Sequence, residues 1–134
     1  MTHYLAALRL DPSHAESYNG LGICYAMQGK FLEAERQFRE AVRLKPGYSG
    51  AQSNLGNALG AQNKLDEAIP HYQKALEIDP KDFQTQFNLG VSLLRQGRRA
   101  DARSHFVEAL RLHPDYPEAQ RALAELDSSV EPRK

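Results

Sequence analysis

The sequence predicts an all-α protein in which antiparallel helix hairpins stack side by side as an α-solenoid. One observation is a period of 34 residues, which is clearest in the prolines Pro12, Pro46, Pro80 and Pro114. Another is that apolar residues inside each period follow the i, i+3, i+4 spacing of an amphipathic helix. Because two helices cannot bury such a face alone, repeated hairpins are expected to stack, each on its neighbours.

Each repeat is predicted to contain an A helix followed by a B helix, and further columns keep the 34-residue interval. The columns are Gly22, Gly56 and Gly90; Ala34, Ala68 and Ala102; Ala7, Ala41, Ala75 and Ala109; and Tyr4, Phe38, Tyr72 and Phe106. The glycines and the first set of alanines are expected where the A helix crosses the B helix closely. The aromatic side chains are expected to fill the wedge between one hairpin and the next.

The turns between the A and B helices are predicted from residues that tolerate a left-handed backbone, namely Gly29, Asn63 and Gly97. Two positions depart from the pattern. Arg99 replaces the apolar residue found in the other copies, so the third turn is expected to be looser. Pro70 lies within the second B helix; with a cap near Asp66 it would fall at the end of the first turn, where a proline costs little.

The elements then follow in order along one predicted domain, residues 1–127, with about eight helices. They are an orphan B helix (1–12), three full repeats (15–46, 49–80 and 83–114) and a capping A helix (117–127), followed by a frayed tail (128–134). The opening stretch MTHYLAALRLDP matches a B helix without its A helix, which suggests that a longer array was cut. The last helix is polar where a further B helix would dock, as expected of a cap.

Composition and charge argue against several classes of function. The chain has 17 basic and 17 acidic residues, a balance that argues against nucleic-acid binding. It has a single cysteine, Cys24, and no apolar stretch of the roughly 20 residues that span a bilayer, so no membrane insertion is expected. The chain is expected to be soluble as written, and cytoplasmic and periplasmic locations both remain open if it comes from a larger bacterial protein.

The motif Tyr18-x2-Leu21-Gly22-x2-Tyr25, followed by Ala34-x3-Phe38 and Pro46, resembles the tetratricopeptide repeat. The resemblance covers three copies and implies a right-handed superhelix whose A helices line a concave groove. It also implies a non-catalytic module that binds a protein or peptide segment. The residues agree with this, since no paired acids, phosphate-binding loop or nucleophile–base pair suggests an enzyme, and no cofactor is expected.

The resemblance places ten candidate peptide-binding residues on the groove: Asn19, Ile23, Met27, Asn54, Asn57, Phe87, Asn88, Val91, Arg95 and Arg121. Asn54 and Asn88 are one period apart and could bond a peptide backbone, as in the asparagine ladder of some longer arrays; the alternative is that they stabilise the scaffold. Met27 and Phe87 are candidate binding hot spots, and lateral packing between A helices is the alternative.

Another binding mode of the family is a carboxylate clamp for acidic chaperone tails, which uses lysine, arginine and asparagine. The matching positions are Asn19, Ile23, Asn54, Gln84 and Asn88. Every cation of the clamp is missing, so binding of a chaperone tail is not expected. His3, His71 and His105 share a column, but neighbouring helices stand about 8–10 Å apart, and no metal site is predicted.

The principal alternative function is structural, as an assembly segment of a larger repeat protein. The first helix is more apolar than its copies, and Tyr4, Leu5 and Leu8 are predicted to mediate a weak contact with a second copy of the chain. Such a contact is expected to be an artefact of truncation more often than a biological interface.

Overall fold

The computed structural model describes residues 1–128, and residues 129–134 of the predicted frayed tail lie outside them. Eight helices and no strand occur in the described part of the chain. They are α1 (Thr2–Leu10), α2 (Ala15–Met27), α3 (Phe31–Leu44), α4 (Ser49–Ala61), α5 (Leu65–Ile78), α6 (Phe83–Arg95), α7 (Arg99–Leu112) and α8 (Pro117–Ser128). The predicted all-α fold of helix hairpins is confirmed.

The chain divides into two compact units, Met1–Asp79 and Pro80–Lys134. The first unit contains α1 and the hairpins α2–α3 and α4–α5. The second contains the hairpin α6–α7 followed by α8. The extent of the predicted single domain, residues 1–127, stays a prediction.

The three A–B turns share one geometry. Gly29, Asn63 and Gly97 have φ values of +77°, +63° and +83°, which confirms the predicted left-handed positions. The next residue in each turn donates its N–H to a carbonyl five residues back, with N–O distances of 2.9 Å in all three turns. This pattern is the Schellman motif. The expectation of a looser third turn at Arg99 is therefore wrong.

Helix α5 also corrects an expectation. Its N-cap is Lys64 and its first residue is Leu65, so Pro70 is the sixth residue of the helix. A proline there removes a donor that would bond the carbonyl of Asp66, four residues back. The proline thus lies in the second turn. The amides there normally bond within the helix, so Pro70 costs one helical hydrogen bond that a proline in the first turn would not.

The core of each hairpin forms where an aromatic ring of the B helix lies against the A-helix glycine. A Cβ atom added at Gly22, Gly56 or Gly90 would lie 2.5–2.7 Å from the ring of Phe38, Tyr72 or Phe106, respectively. No carbon atom can approach so closely, so only glycine permits this packing. The rings themselves are almost completely buried.

A carboxylate connects the first hairpin to the second. Glu35 on α3 is buried, and its Oε2 accepts from Arg39 Nε at 2.8 Å. Its Oε1 accepts from Gln62 Nε2 at 2.9 Å, at the C-terminal end of α4. Although burial alone raises the pKa of Glu35, the bonds from Gln62 and Arg39 outweigh it and lower the pKa below its ordinary value. The charge is therefore retained and joins α3 to the α4–α5 turn.

Candidate functional site

An open groove lies between the first hairpin and helix α4, all within the first unit. It encloses a cavity of about 250 Å³ lined by Ile23, Ala26, Met27, Phe31, Phe38, Asn54, Asn57 and Ala58. Four of the predicted binding residues, Ile23, Met27, Asn54 and Asn57, therefore lie together in this α2–α4 groove. The helical repeat explains the arrangement, since Ile23 and Met27 are one turn apart on α2 and face the same side.

The apolar wall of the groove is unusually exposed. Met27 has 83% of its surface accessible and Ile23 has 40%, whereas Phe38 beneath them is 2% exposed. The hairpin has an ample core without Met27. A large apolar side chain left in water beside a concave, apolar surface is typical of a binding site.

The polar wall is an amide network. Asn54 Nδ2 donates to Asn19 Oδ1 at 3.0 Å, and Asn19 Nδ2 donates to the Tyr48 hydroxyl at 3.2 Å. The Tyr72 hydroxyl donates to Asn57 Oδ1 at 2.7 Å. Asn19 therefore uses one donor and one acceptor in hydrogen bonds within the protein, which favours a role in stabilising the scaffold for that residue. Asn54 and Asn57 both use amide atoms within the protein and also line the groove.

The second unit contains an equivalent cavity, two periods further along the chain. It encloses about 460 Å³ and is lined by Val91, Leu94, Arg99, Phe106, Ala122, Glu125 and Leu126. Each of these residues is 68 positions after a residue of the α2–α4 groove. Two positions of this cavity carry charge, since Arg99 corresponds to Phe31 and Glu125 corresponds to Asn57 of the α2–α4 groove. Of the predicted binding residues, Val91 lines this cavity.

Phe87 belongs to an aromatic cluster in the second unit. Its ring centroid lies 5.5 Å from that of Phe106 and 5.2 Å from that of Tyr116. Phe83 completes the cluster, 5.2 Å from Tyr116 and stacked on His113 at 4.2 Å. Phe87 is half-buried in this packing. Phe87 therefore packs against the B helix α7 and the residue that precedes α8, and its role as a hot spot stays a prediction.

The other predicted groove residues of the second unit differ in exposure. Arg95 and Arg121 are exposed, and Asn88 is half-buried. Two other arginines nearby in the sequence form ion pairs with carboxylates. Arg98 pairs with Asp101 at 2.9 Å, and Arg103 pairs with Asp127 at 3.0 Å. The Arg99 guanidinium donates to the Leu126 carbonyl at 3.1 Å, in the last turn of α8. This bond therefore links the first residue of α7 to the last turn of α8.

The residues predicted for self-association lie on α1, which has no buried residue. Tyr4 is half-buried because its ring lies against Gly20, where an added Cβ would be 2.3 Å from the ring. Leu8 is half-buried, and Leu5 is exposed. Leu10, which was not predicted, is the most exposed large apolar residue of α1.

Sequence reasoning missed a repeated glutamine–histidine pair. His71 Nδ1 lies 2.9 Å from Gln52 Oε1, and His105 Nδ1 lies 2.8 Å from Gln86 Oε1. Burial lowers the pKa of both histidines below the ordinary value of 6.5. The signal was present in the sequence, since a glutamine precedes a histidine by 19 residues in two successive repeats.

Other chemistry is sparse in the described part of the chain. Cys24 is a half-buried free thiol. Within residues 1–128, no group of three or more histidine, cysteine, aspartate or glutamate side chains is arranged to hold a metal ion. None of the eight helices has the length and apolar character required to cross a membrane.

Family models of repeats match most of the chain. Two models described as "Tetratricopeptide repeat" match residues 2–49 and 84–126, and one described as "TPR repeat" matches residues 56–97. A search of the curated proteins found no match to the sequence.

Solved structures share the fold. "Crystal structure of MamA" is similar with a TM-score of 0.88 and 21% identity, over 94% of this chain and 74% of that chain. The "Arabidopsis OM64 TPR domain" has a TM-score of 0.84 and 22% identity, over 87% of this chain and 96% of that one. "First TPR of Spaghetti (RPAP3) bound to HSP90 peptide SRMEEVD" has a TM-score of 0.84 and 19% identity, over 87% and 92%. At these identities the similarity shows the fold.

Proposed function

We propose, from the premise that the chain belongs to the tetratricopeptide repeat family, that it is a non-catalytic module whose α2–α4 groove binds a peptide or protein segment. Such repeats commonly mediate interactions between proteins, and one structural neighbour carries a bound peptide. The observation that carries the proposal is the exposure of Met27 and Ile23 beside a concave cavity that also contains two asparagines.

The groove chemistry indicates the kind of segment. An aliphatic or aromatic side chain of the ligand would fill the cavity above Phe38 and cover Ile23 and Met27, which are now in water. Amide groups of Asn54 and Asn57 at the rim suit a peptide backbone, because an amide both donates and accepts hydrogen bonds. The groove lining carries no charged side chain. An apolar segment is therefore a better ligand than the acidic peptide of the structural neighbour.

The same lining supports a non-catalytic role. Amides, aliphatic groups and aromatic rings supply neither a general acid or base nor a nucleophile. The equal numbers of basic and acidic residues likewise favour protein over nucleic acid as the partner.

Peptide selection tests the proposal with a matched control. A displayed library of random 12-residue peptides would be selected against the wild-type chain, and the dissociation constants of enriched peptides measured by fluorescence anisotropy. Ile23→Asp and Met27→Asp should each weaken binding at least tenfold. Leu32→Asp is the control, because Leu32 is 46% exposed on α3 and does not line the groove. Enriched peptides that bind all four proteins equally would refute the proposal, as would a failure to enrich any.

A second candidate is assembly through α1. Its specific support is that α1 buries no residue and exposes Leu5 and Leu10. Light scattering from micromolar to millimolar concentration should show a mass that rises with concentration in the wild type and stays monomeric in Leu5→Glu/Leu10→Glu. A wild-type mass that remains monomeric throughout would exclude this candidate.

A further inference from the structure

Met27 places an oxidisable sulfur atom on the wall of the α2–α4 groove. It is the last residue of α2, has 83% of its surface accessible, and lines the cavity of about 250 Å³ together with Ile23. The same column of the next two repeats holds Ala61 and Arg95, neither of which contains sulfur. The groove in the first unit therefore carries a thioether that water and dissolved oxidants reach.

Hydrogen peroxide converts an accessible thioether into a sulfoxide. A lone pair of the sulfur atom attacks one peroxide oxygen, and the S–O bond forms as the O–O bond breaks. The hydroxide that departs takes the proton of the transferred oxygen and becomes water, so the sulfur atom has lost two electrons and the peroxide has gained them. The product is a polar side chain, which two sulfoxide reductases return to methionine, one for each epimer.

A sulfoxide at this position disfavours an apolar ligand. The other residues that line the groove include Ile23, Phe31, Phe38 and Ala58, all of them apolar. In the free protein the S–O oxygen accepts hydrogen bonds from water, because Met27 is exposed. A ligand side chain that covers Met27 removes this water, and a polar group without a hydrogen bond is unfavourable away from water. Oxidation therefore opposes binding but leaves the fold intact, since so little of Met27 is buried.

We propose that Met27 is a modification site, at which oxidation by peroxide to the sulfoxide reversibly weakens binding of an apolar segment in the α2–α4 groove. This inference rests on the proposed function, because it names a regulation of the same groove. The sequence has three residues that contain sulfur, Met1, Cys24 and Met27, and of these only Met27 lines the groove. An effect of peroxide on binding can therefore be assigned to one side chain.

The first measurement follows the reaction itself and needs no ligand. The full chain would be treated with hydrogen peroxide, the reaction stopped with catalase, and dithiothreitol added to reverse sulfenic acid or disulfide formation at Cys24, which leaves sulfoxides in place. Mass spectrometry of peptide fragments should show that Met27 gains one oxygen at a rate within about threefold of that of N-acetylmethionine methylamide, because reactivity follows exposure. A slower reaction would show that the sulfur atom is not accessible and would overturn the inference.

The second measurement compares binding before and after oxidation. The dissociation constants of the peptides selected on the wild-type chain should rise at least fivefold when Met27 is the sulfoxide, and should return to their initial values after treatment with both sulfoxide reductases. The affinity of Met27→Leu, whatever its value before treatment, should not change on exposure to peroxide. Cys24→Ala should respond to peroxide as the wild type does. The midpoint of urea unfolding should be the same before and after oxidation.

The outcomes separate this inference from the proposed function. If the selected peptides depend on Ile23 and Met27 but bind the oxidised chain equally well, the inference fails and the proposed function stands. A loss of affinity that persists in Met27→Leu, or that accompanies a lower unfolding midpoint, would also overturn the inference, because another residue or unfolding would then be responsible. If the selection enriches no peptide, the proposed function fails and the inference fails with it.

Discussion

Gly56 shows how a single hydrogen atom in place of a side chain determines the packing of a hairpin. Its Cα faces the ring of Tyr72, which is 3% exposed and is fixed by the hydrogen bond from its hydroxyl to Asn57. A Cβ at this position would lie 2.7 Å from the ring. The ring is almost completely buried, so an added methyl must displace the helix or the ring.

We therefore expect Gly56→Ala to lower the free energy of unfolding by about 1–3 kcal/mol, because overpacking outweighs the better helix propensity of alanine. Gly50→Ala in the same helix is the matched control. Its added methyl would meet the Tyr48 ring at 3.6 Å, an ordinary contact, and should stabilise the chain by at most about 1 kcal/mol. Urea unfolding followed by circular dichroism measures both. Equal effects of the two variants would contradict the packing argument.

Between helices, the glutamine–histidine pairs hold two half-buried imidazoles on α5 and α7, and burial of these rings makes the stability depend on pH. Gln52 Nε2 donates to the Pro46 carbonyl at 3.1 Å, which directs its Oε1 to His71. His71 Nδ1 must then carry the proton. Burial, followed by the charge of Arg39, lowers the pKa of His71, while Glu67 and Glu35 act in the opposite direction. For His105, burial lowers the pKa against Asp101 and Glu108.

The sign of the pH dependence follows from these directions. Both folded-state pKa values lie below 6.5, so the unfolded chain binds more protons as the pH falls through that value. The unfolding free energy should be constant from pH 8 to 7 and should decrease below about pH 6.5. The slope is well under the limit of about 1.4 kcal/mol per pH unit for each histidine, because both rings are half-exposed and partly solvated.

Urea titrations at a series of pH values measure this slope. In the double variant His71→Gln/His105→Gln, the decrease between pH 6.5 and pH 5 should be largely removed. The window is distinct from that of the buried carboxylate Glu35, whose lowered pKa makes its contribution disappear only as the pH falls below 4.5. An unchanged slope in the double variant would show that other groups are responsible.

For the molecule as a whole, the period made the architecture predictable, because each column fixes the same contact in every repeat. The left-handed turns at Gly29, Asn63 and Gly97 and the order of paired helices followed from it. The period says nothing about a residue that departs from its column. Arg99 was expected to loosen its turn, yet its guanidinium reaches the Leu126 carbonyl 27 positions away. Pro70 was misjudged because the cap of α5 is Lys64.

The candidate site was predictable only in part for a similar reason. The positions of Ile23, Met27, Asn54 and Asn57 on one groove follow from helical spacing and repeat stacking. Whether an amide is used by the scaffold depends on where neighbouring hydroxyls lie. Asn19 is occupied because Tyr48, 29 positions later, brings its hydroxyl within 3.2 Å. No spacing rule within a single repeat reveals such a contact.

The repeat architecture also predicts which helices lose stability when a core residue is substituted. In stacked repeats each repeat contacts only its neighbours, so the free energy of unfolding is close to a sum of contributions from the repeats and their interfaces. Phe106 is completely buried in the second unit, and Phe106→Ala should cost about 3–5 kcal/mol there. Hydrogen exchange measured by mass spectrometry should show a loss of protection concentrated in α6–α8, with α2–α4 changed far less. Val107→Ala, at a residue 43% exposed on the same helix, is the control and should leave protection intact. A uniform loss across both units would instead show that the whole chain opens as a single cooperative body.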